Sequence, residues 1–216
     1  MKRREFSLAA SAAAAGALTL GTSSSWAQGA APREGKDYIK LGKPASVSAP
    51  AGKVEVVEFF WYSCPHCNAF EPQFEAWAKT QPADVVVRQV PVAFNASFVP
   101  QQKLYYALEG MNLLPQLNAK VFRTIHVDRN PLKNDEAIFD WIGKQGVDLA
   151  KFKEVYNSFT VANQARKATQ LQNEYDVEGV PAMGVAGRYY TDGTKAGNMD
   201  NVLRVVNALI ASSRKA

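Results

Sequence analysis

The chain's only two cysteines, Cys64 and Cys67, stand three positions apart in the run Phe60-Trp61-Tyr62-Ser63-Cys64-Pro65-His66-Cys67-Asn68. No other feature constrains the fold so tightly, because the residues on either side of the pair repeat with different periods. Upstream, Val54-Glu55-Val56-Val57-Glu58-Phe59-Phe60 is rich in β-branched and aromatic residues and predicts a strand. Downstream, Cys67, Phe70, Phe74, Trp77 and Ala78 recur at helical spacing, so one face of a helix is apolar. The thiols are therefore predicted at a strand, loop, helix junction with Pro65 at the first helical position, where its missing N–H is not needed. Pro72 falls inside that helix and removes one backbone bond.

Such a pair has four chemical readings. A structural staple gains little, because cross-linking stabilises more the longer the loop it closes. A zinc site needs about four nitrogen or sulfur ligands. The chain offers these two sulfurs, His66 inside the motif and the distant His126. Covalent haem attachment requires a histidine directly after the second cysteine, and that residue is Asn68. A redox dithiol fits. At a helix start the Cys64 thiolate meets unpaired N–H groups and the positive end of the helix dipole, which lower its pKa and make it the exposed nucleophile. Cys67, one turn further on, returns to the same side and serves as the resolving thiol. His66 can favour the Cys64 thiolate by a hydrogen bond or a charge, and whatever stabilises that thiolate makes the disulfide a stronger oxidant.

The N-terminus bears on where such a pair would be oxidised. Lys2-Arg3-Arg4 precedes an uncharged stretch from Leu8 to Leu20 and a small-x-small site at Ser25-Trp26-Ala27. This pattern reads as a secretory signal, residues 1–27, cleaved after Ala27. The apolar stretch is shorter than the roughly 20 residues of a spanning helix. Arg3-Arg4 with Phe6 and Leu8 also resembles a twin-arginine signal, so the route of export stays open. Removing residues 1–27 takes three basic groups and one acid from a formal net charge of +5, leaving a mildly basic chain. No cluster of Lys and Arg interleaved with aromatics is present, so no nucleic-acid partner is expected. The expected setting is a compartment outside the cytoplasm where disulfides persist.

The remaining chain has the length for one core with an insertion. Tyr38 to Leu41 predicts a short strand and Val85 to Phe94 a longer one. The period then changes: Leu104, Leu108, Leu113, Leu117, Val121 and Ile125 space themselves as helices, with Pro100 and Pro115 near their starts. Asn134 and Asp148 read as helix caps, and Ala165, Ala168, Leu171 and Tyr175 as a further helix. His126, near a helix end, reads as a capping or surface residue. Strands resume at Ala182–Val185 and Arg188–Thr191 across an Ala186-Gly187 hairpin turn, followed by a last helix carrying Val202, Val205, Val206, Leu209 and Ile210. This is an α/β chain in which residues 98–176 form a helical insertion between segments 28–97 and 177–216.

The run Glu58-Phe59-Phe60-Trp61-Tyr62-Ser63-Cys64-Pro65-His66-Cys67-Asn68-Ala69-Phe70-Glu71, with Gly179-Val180-Pro181-Ala182-Met183 far along the chain, resembles the DsbA family of periplasmic thiol:disulfide oxidoreductases. The resemblance implies a thioredoxin-like fold with a helical domain inserted, Cys64 and Cys67 as the redox pair, and a cis bond before Pro181 in a loop packed against them. Val180 would then offer its carbonyl and N–H to an extended substrate chain, and a valine there is similar to oxidases more than to isomerases, which tend to carry threonine. Glu58 matches a buried acid of the family, which can pass protons to and from Cys67. Family members often place a lysine opposite it, where this chain has Gln89.

What the resemblance implies for activity is oxidation of thiol pairs in reduced, unfolded exported proteins, with reoxidation by a quinone-linked membrane oxidase of the DsbB type. The protein is expected to act as a monomer and to need no cofactor beyond the Cys64–Cys67 disulfide. An isomerase or reductase, a peptide-binding chaperone with incidental cysteines, and a metal-binding module are the competing readings. A redox potential near that of cytosolic reductants would remove the oxidase reading and leave the fold untouched.

Overall fold

Valine and phenylalanine side chains at five of the seven positions of Val54–Phe60 (β2), with Glu55 and Glu58 at the other two, are buried on both faces of the strand, and it becomes the centre of the molecule. The computed structural model describes residues 31–214; the signal reading of residues 1–27 lies outside them. Pro32–Ala216 forms one compact unit. Its sheet has five strands: Ile39–Lys40 (β1), β2, Val85–Pro91 (β3), Ala182–Val185 (β4) and Tyr189–Asp192 (β5), in the order β1-β5-β4-β2-β3. β2 and β3 are parallel, joined through helix Pro65–Lys79 (α1), while β4, β5 and β1 add antiparallel pairs.

Five helices follow β3 before the chain returns to the sheet: Val99–Gly110 (α2), Leu114–His126 (α3), Asp135–Gly143 (α4), Leu149–Tyr156 (α5) and Phe159–Glu174 (α6). Three of them start at a capping side chain, two at the residues read as caps and one at Ser158. Asn134 accepts from the Ala137 N–H and Asp148 from the Lys151 N–H, and Ser158 does the same for Val161. Two hydrophobic clusters result. One joins Val57, Phe59, Phe60 and Val90 to the five helices, and the other packs Val54, Val56, Met183 and Val185 against α1 and the last helix, Met199–Ser213 (α8).

Local departures from the sequence reading have plain causes. β3 ends at Pro91, three residues early, because the chain turns away there: Val92 N–H still reaches Phe60, but Ala93 N–H goes to the Gln172 side chain. A four-residue helix, Gly193–Ala196 (α7), was not expected, since one turn is too short to show a period. The hairpin is as expected, with Ala186 and Gly187 both at positive φ, and a Cβ on Gly187 would come within 2.6 Å of the Ala45 carbonyl oxygen.

Candidate active site

Cys64 is the N-cap of α1 and Pro65 opens the helix, the placement that the sequence dictates. Both sulfurs are free, and Cys64 and Cys67 are 3.5 Å apart. Cys67 is fully buried, and Cys64, expected to be exposed, is buried as well at 7% exposure, although Pro65 and His66 next to it in the chain are exposed. Their environments drive the two thiols in opposite directions. A hydrogen bond from the Cys67 thiol, and then the backbone N–H groups of Cys67 and His66, bring Cys64 down to about 6 against the opposing effect of burial; the charge of His66 contributes least. Burial, and next the bond to Cys64, push the Cys67 thiol far up. A thiol that ionises easily beside one that keeps its proton is the asymmetry that disulfide exchange needs.

The Val180-Pro181 bond is cis and leads directly into β4, which pairs with β2 so that Phe59 meets Ala182. This register carries the loop to the thiols. The Cys64 thiol donates to the Val180 carbonyl at 3.4 Å. That carbonyl, expected to be free for a substrate strand, is thus already engaged while Cys64 is protonated.

Glu58 sits behind the pair on β2, and no part of its side chain reaches solvent. In the β2–β3 register it faces Gln89, whose amide nitrogen donates to Glu58 Oε2 at 2.8 Å and to Glu71 Oε2 at 2.8 Å. Glu58 Oε1 is buried and has no hydrogen-bond partner among the described residues. Burial, and then the neighbouring Glu71, hold Glu58 well above the usual carboxylate range. Glu71 is likewise raised, mainly by burial, against the amide bonds from Gln89 and Asn118. The sequence reading of Glu58 was of a single acid; the structure pairs it with a second. Glu71 lies four residues after Cys67 on the same face of α1, a spacing that was available in the sequence.

His126 was misread. It is half-buried at the end of α3, its Nε2 lies 2.8 Å from the Tyr62 carbonyl oxygen, and its ring stacks on Phe122. A helix-end histidine looks like a cap in sequence because nothing local marks a long-range acceptor 64 positions away. Two cavities of about 430 Å³ are lined by neither cysteine, one by Arg88, Glu109, Lys167 and the Gln89 of the acid pair, the other by Val99, Lys103, Tyr156 and Arg166. Among the described residues no helix is long and apolar enough to cross a membrane.

Two touching sulfurs, one easily ionised and one hard to ionise, at the mouth of a helix beside a cis-proline loop are built to trade a disulfide with an incoming thiol. On this sheet the arrangement has the form of a thiol:disulfide oxidoreductase of the thioredoxin type. Residues 89–206 match the model of the DSBA-like thioredoxin domain. The chain is 45% identical over 216 residues to the thiol:disulfide interchange protein DsbA of Bordetella pertussis, covering 100% of both. It is 40% identical to the DsbA of Pseudomonas aeruginosa over 84% of this chain and 86% of the relative. The crystal structure of Pseudomonas aeruginosa DsbA superposes with a TM-score of 0.80 at 39% identity, covering 84% of this chain and 94% of that one. The protein belongs to the DsbA family and is a disulfide-forming oxidoreductase.

Proposed function

We propose that the protein oxidises thiol pairs in reduced, unfolded proteins newly exported to the periplasm, with Cys64 as the sulfur that substrates attack. A substrate thiolate forms a bond to Cys64 Sγ and breaks the Cys64–Cys67 bond, so the electron pair leaves on Cys67, which takes up a proton. A second substrate thiolate then attacks the substrate sulfur of the mixed disulfide. Cys64 leaves as its stabilised thiolate, the substrate is bridged, and the enzyme is reduced by two electrons. The dithiol itself carries those electrons, so the cycle requires no further cofactor. The observation that carries this reading is the placement of the two sulfurs, 3.5 Å apart at the start of α1 with Cys64 held against the cis Val180-Pro181 loop, and the opposed ionisation of the two thiols agrees with it.

The other residues have roles around that exchange. Pro65 and His66 set the helix start beside Cys64. Val180 and Pro181 form the ledge along which an extended substrate lies, its backbone meeting the Val180 carbonyl once Cys64 has lost its proton. Glu58 supplies and accepts the Cys67 proton. Residues 1–27 direct export and are removed. The reduced protein, a monomer in this reading, returns its electrons to a quinone-linked membrane oxidase of the DsbB type.

Oxidation of a reduced dithiol peptide, followed by mass spectrometry, tests the assignment. Cys64→Ala should abolish transfer, and in Cys67→Ala the Cys64 thiolate should attack the oxidised form of the same peptide, breaking its disulfide and holding one of its sulfurs as a mixed disulfide on Cys64. Transfer surviving in Cys64→Ala would remove Cys64 from its role, and retained action of that variant on cysteine-free clients would favour a chaperone.

A further inference from the structure

Three residues of α3 spaced four apart, Asn118, Phe122 and His126, form one stripe, and all three touch Tyr62. The Tyr62 hydroxyl donates to Asn118 Oδ1 at 2.7 Å, and its ring meets the edge of Phe122 with centroids 5.0 Å apart. Its carbonyl lies 2.8 Å from His126 Nε2. A carbonyl oxygen can only accept, so Nε2 carries the hydrogen and donates it. Tyr62 is thereby held at its backbone, its ring and its hydroxyl, and it is 1% exposed.

Tyr62 lies two residues before Cys64 in a turn closed by the Cys64 N–H donating to the Trp61 carbonyl at 3.0 Å. That turn decides where the Cys64 sulfur points. The next residue is held from the same helical region, since Gln101 of α2 donates to Ser63 Oγ at 2.7 Å. Asn118 has a second hold: its amide donates to Glu71 Oε1 at 2.6 Å, so the same stripe reaches the acid pair behind Cys67.

We propose that His126 and Asn118 are positioning residues for disulfide exchange, fixing the turn at Tyr62 that aims the Cys64 sulfur at the start of α1. The proposal rests on Cys64 being the attacked sulfur. A buried carbonyl that loses its donor must find another partner, and the backbone of this turn rotates to do so, carrying the sulfur away from the N–H groups of His66 and Cys67. The helices between β3 and β4 therefore act on the chemistry through the loop that precedes it.

The test compares His126→Leu, which fills the space without a donor, with His126→Gln, which keeps an N–H of similar reach. Two readouts matter: titration of Cys64 followed by thiolate absorbance, and the equilibrium constant with glutathione. His126→Leu should raise the Cys64 midpoint and weaken the protein as an oxidant by roughly three- to tenfold, the equivalent of half to one pKa unit. His126→Gln should stay within about twofold of the parent, well under half a unit. If His126→Leu fails to fold, His126→Ala at this half-exposed site replaces it. The proposal is overturned if the donor-less variant melts lower yet keeps the parent's midpoint and equilibrium constant, or if the glutamine variant shifts as far as the leucine one. Cys64→Ser, measured alongside, separates the two failures: if it still transfers disulfides, the attacked sulfur was wrongly assigned.

Discussion

Gln89 stands beside Glu58 in the parallel register of β2 and β3 and donates to it at 2.8 Å, and the same amide nitrogen donates to Glu71 at 2.8 Å. A single neutral amide thus bridges two buried carboxylates. Like charges this close, removed from water, do not both ionise at neutral pH, so the pair retains a proton. A lysine at this position would let both acids ionise; glutamine leaves them dependent on that proton.

Replacing Gln89 with Leu removes two hydrogen bonds to groups that carry charge at high pH. Each such bond is worth about 1.5–3 kcal/mol, and partial repayment by protonation leaves an expected loss of about 2–4 kcal/mol at pH 8. Both acids already have folded pKa values above their unfolded ones, Glu71 reaching about 7. Their favourable contribution is complete below about pH 4.3, the ordinary glutamate value, and is lost as pH rises through the folded values. The variant raises those values further, so the difference from the parent should be small at pH 5 and grow toward pH 8. Urea unfolding at both pH values checks this; an equal loss at each would show that the amide acts by packing alone.

The thiols give the opposite sign. Cys64 is brought down to about 6 in the folded protein, below the roughly 8.5 of an unfolded thiol. Stabilisation of the reduced form by its thiolate is therefore complete above about pH 8.5 and is lost as pH falls through about 6. The disulfide form has no such group. Reduced protein should melt above oxidised protein at pH 8, and the gap should close as pH falls past 6. Calorimetry of the two forms across pH 4–9 reads this directly, and a gap independent of pH would mean that the Cys64 thiolate gains nothing from the helix start.

Much of this site was legible in the sequence because its parts are local. Cys64, Pro65 and Cys67 carry their geometry in their spacing, and β2 announces itself by valine and phenylalanine at nearly every position. The Val180-Pro181 loop was found by resemblance, and β4 then places it beside Cys64. What escaped were contacts made by tertiary packing. Glu71 received no reading of its own, since it is α3 that covers it, with Asn118, and His126 looked like a helix end until Tyr62 supplied an acceptor. Neither partner can be inferred from periodicity, which tells which face is buried but not what lies against it.

Gly184 is the tightest point of β4. A Cβ there would lie 2.4 Å from Tyr175 Cε1, and that ring has little room to yield. Tyr175 is wholly buried, packs edge-on against Phe59 with centroids 5.2 Å apart, and accepts the Gly187 N–H through its hydroxyl at 3.0 Å. Gly184→Ala should therefore destabilise the protein by about 1–3 kcal/mol, the usual cost of overpacking a core. Tyr175→Leu alone should also destabilise, through lost contacts and the unpaired Gly187 N–H. In the double variant the smaller side chain makes room for the new methyl, so the combined loss should be less than the sum of the single losses by about 0.5–3 kcal/mol, the range for residues in contact. A double-mutant cycle by urea unfolding measures that coupling. Strict additivity would show that β4 moves as a unit to accept the methyl and that Tyr175 does not set its position.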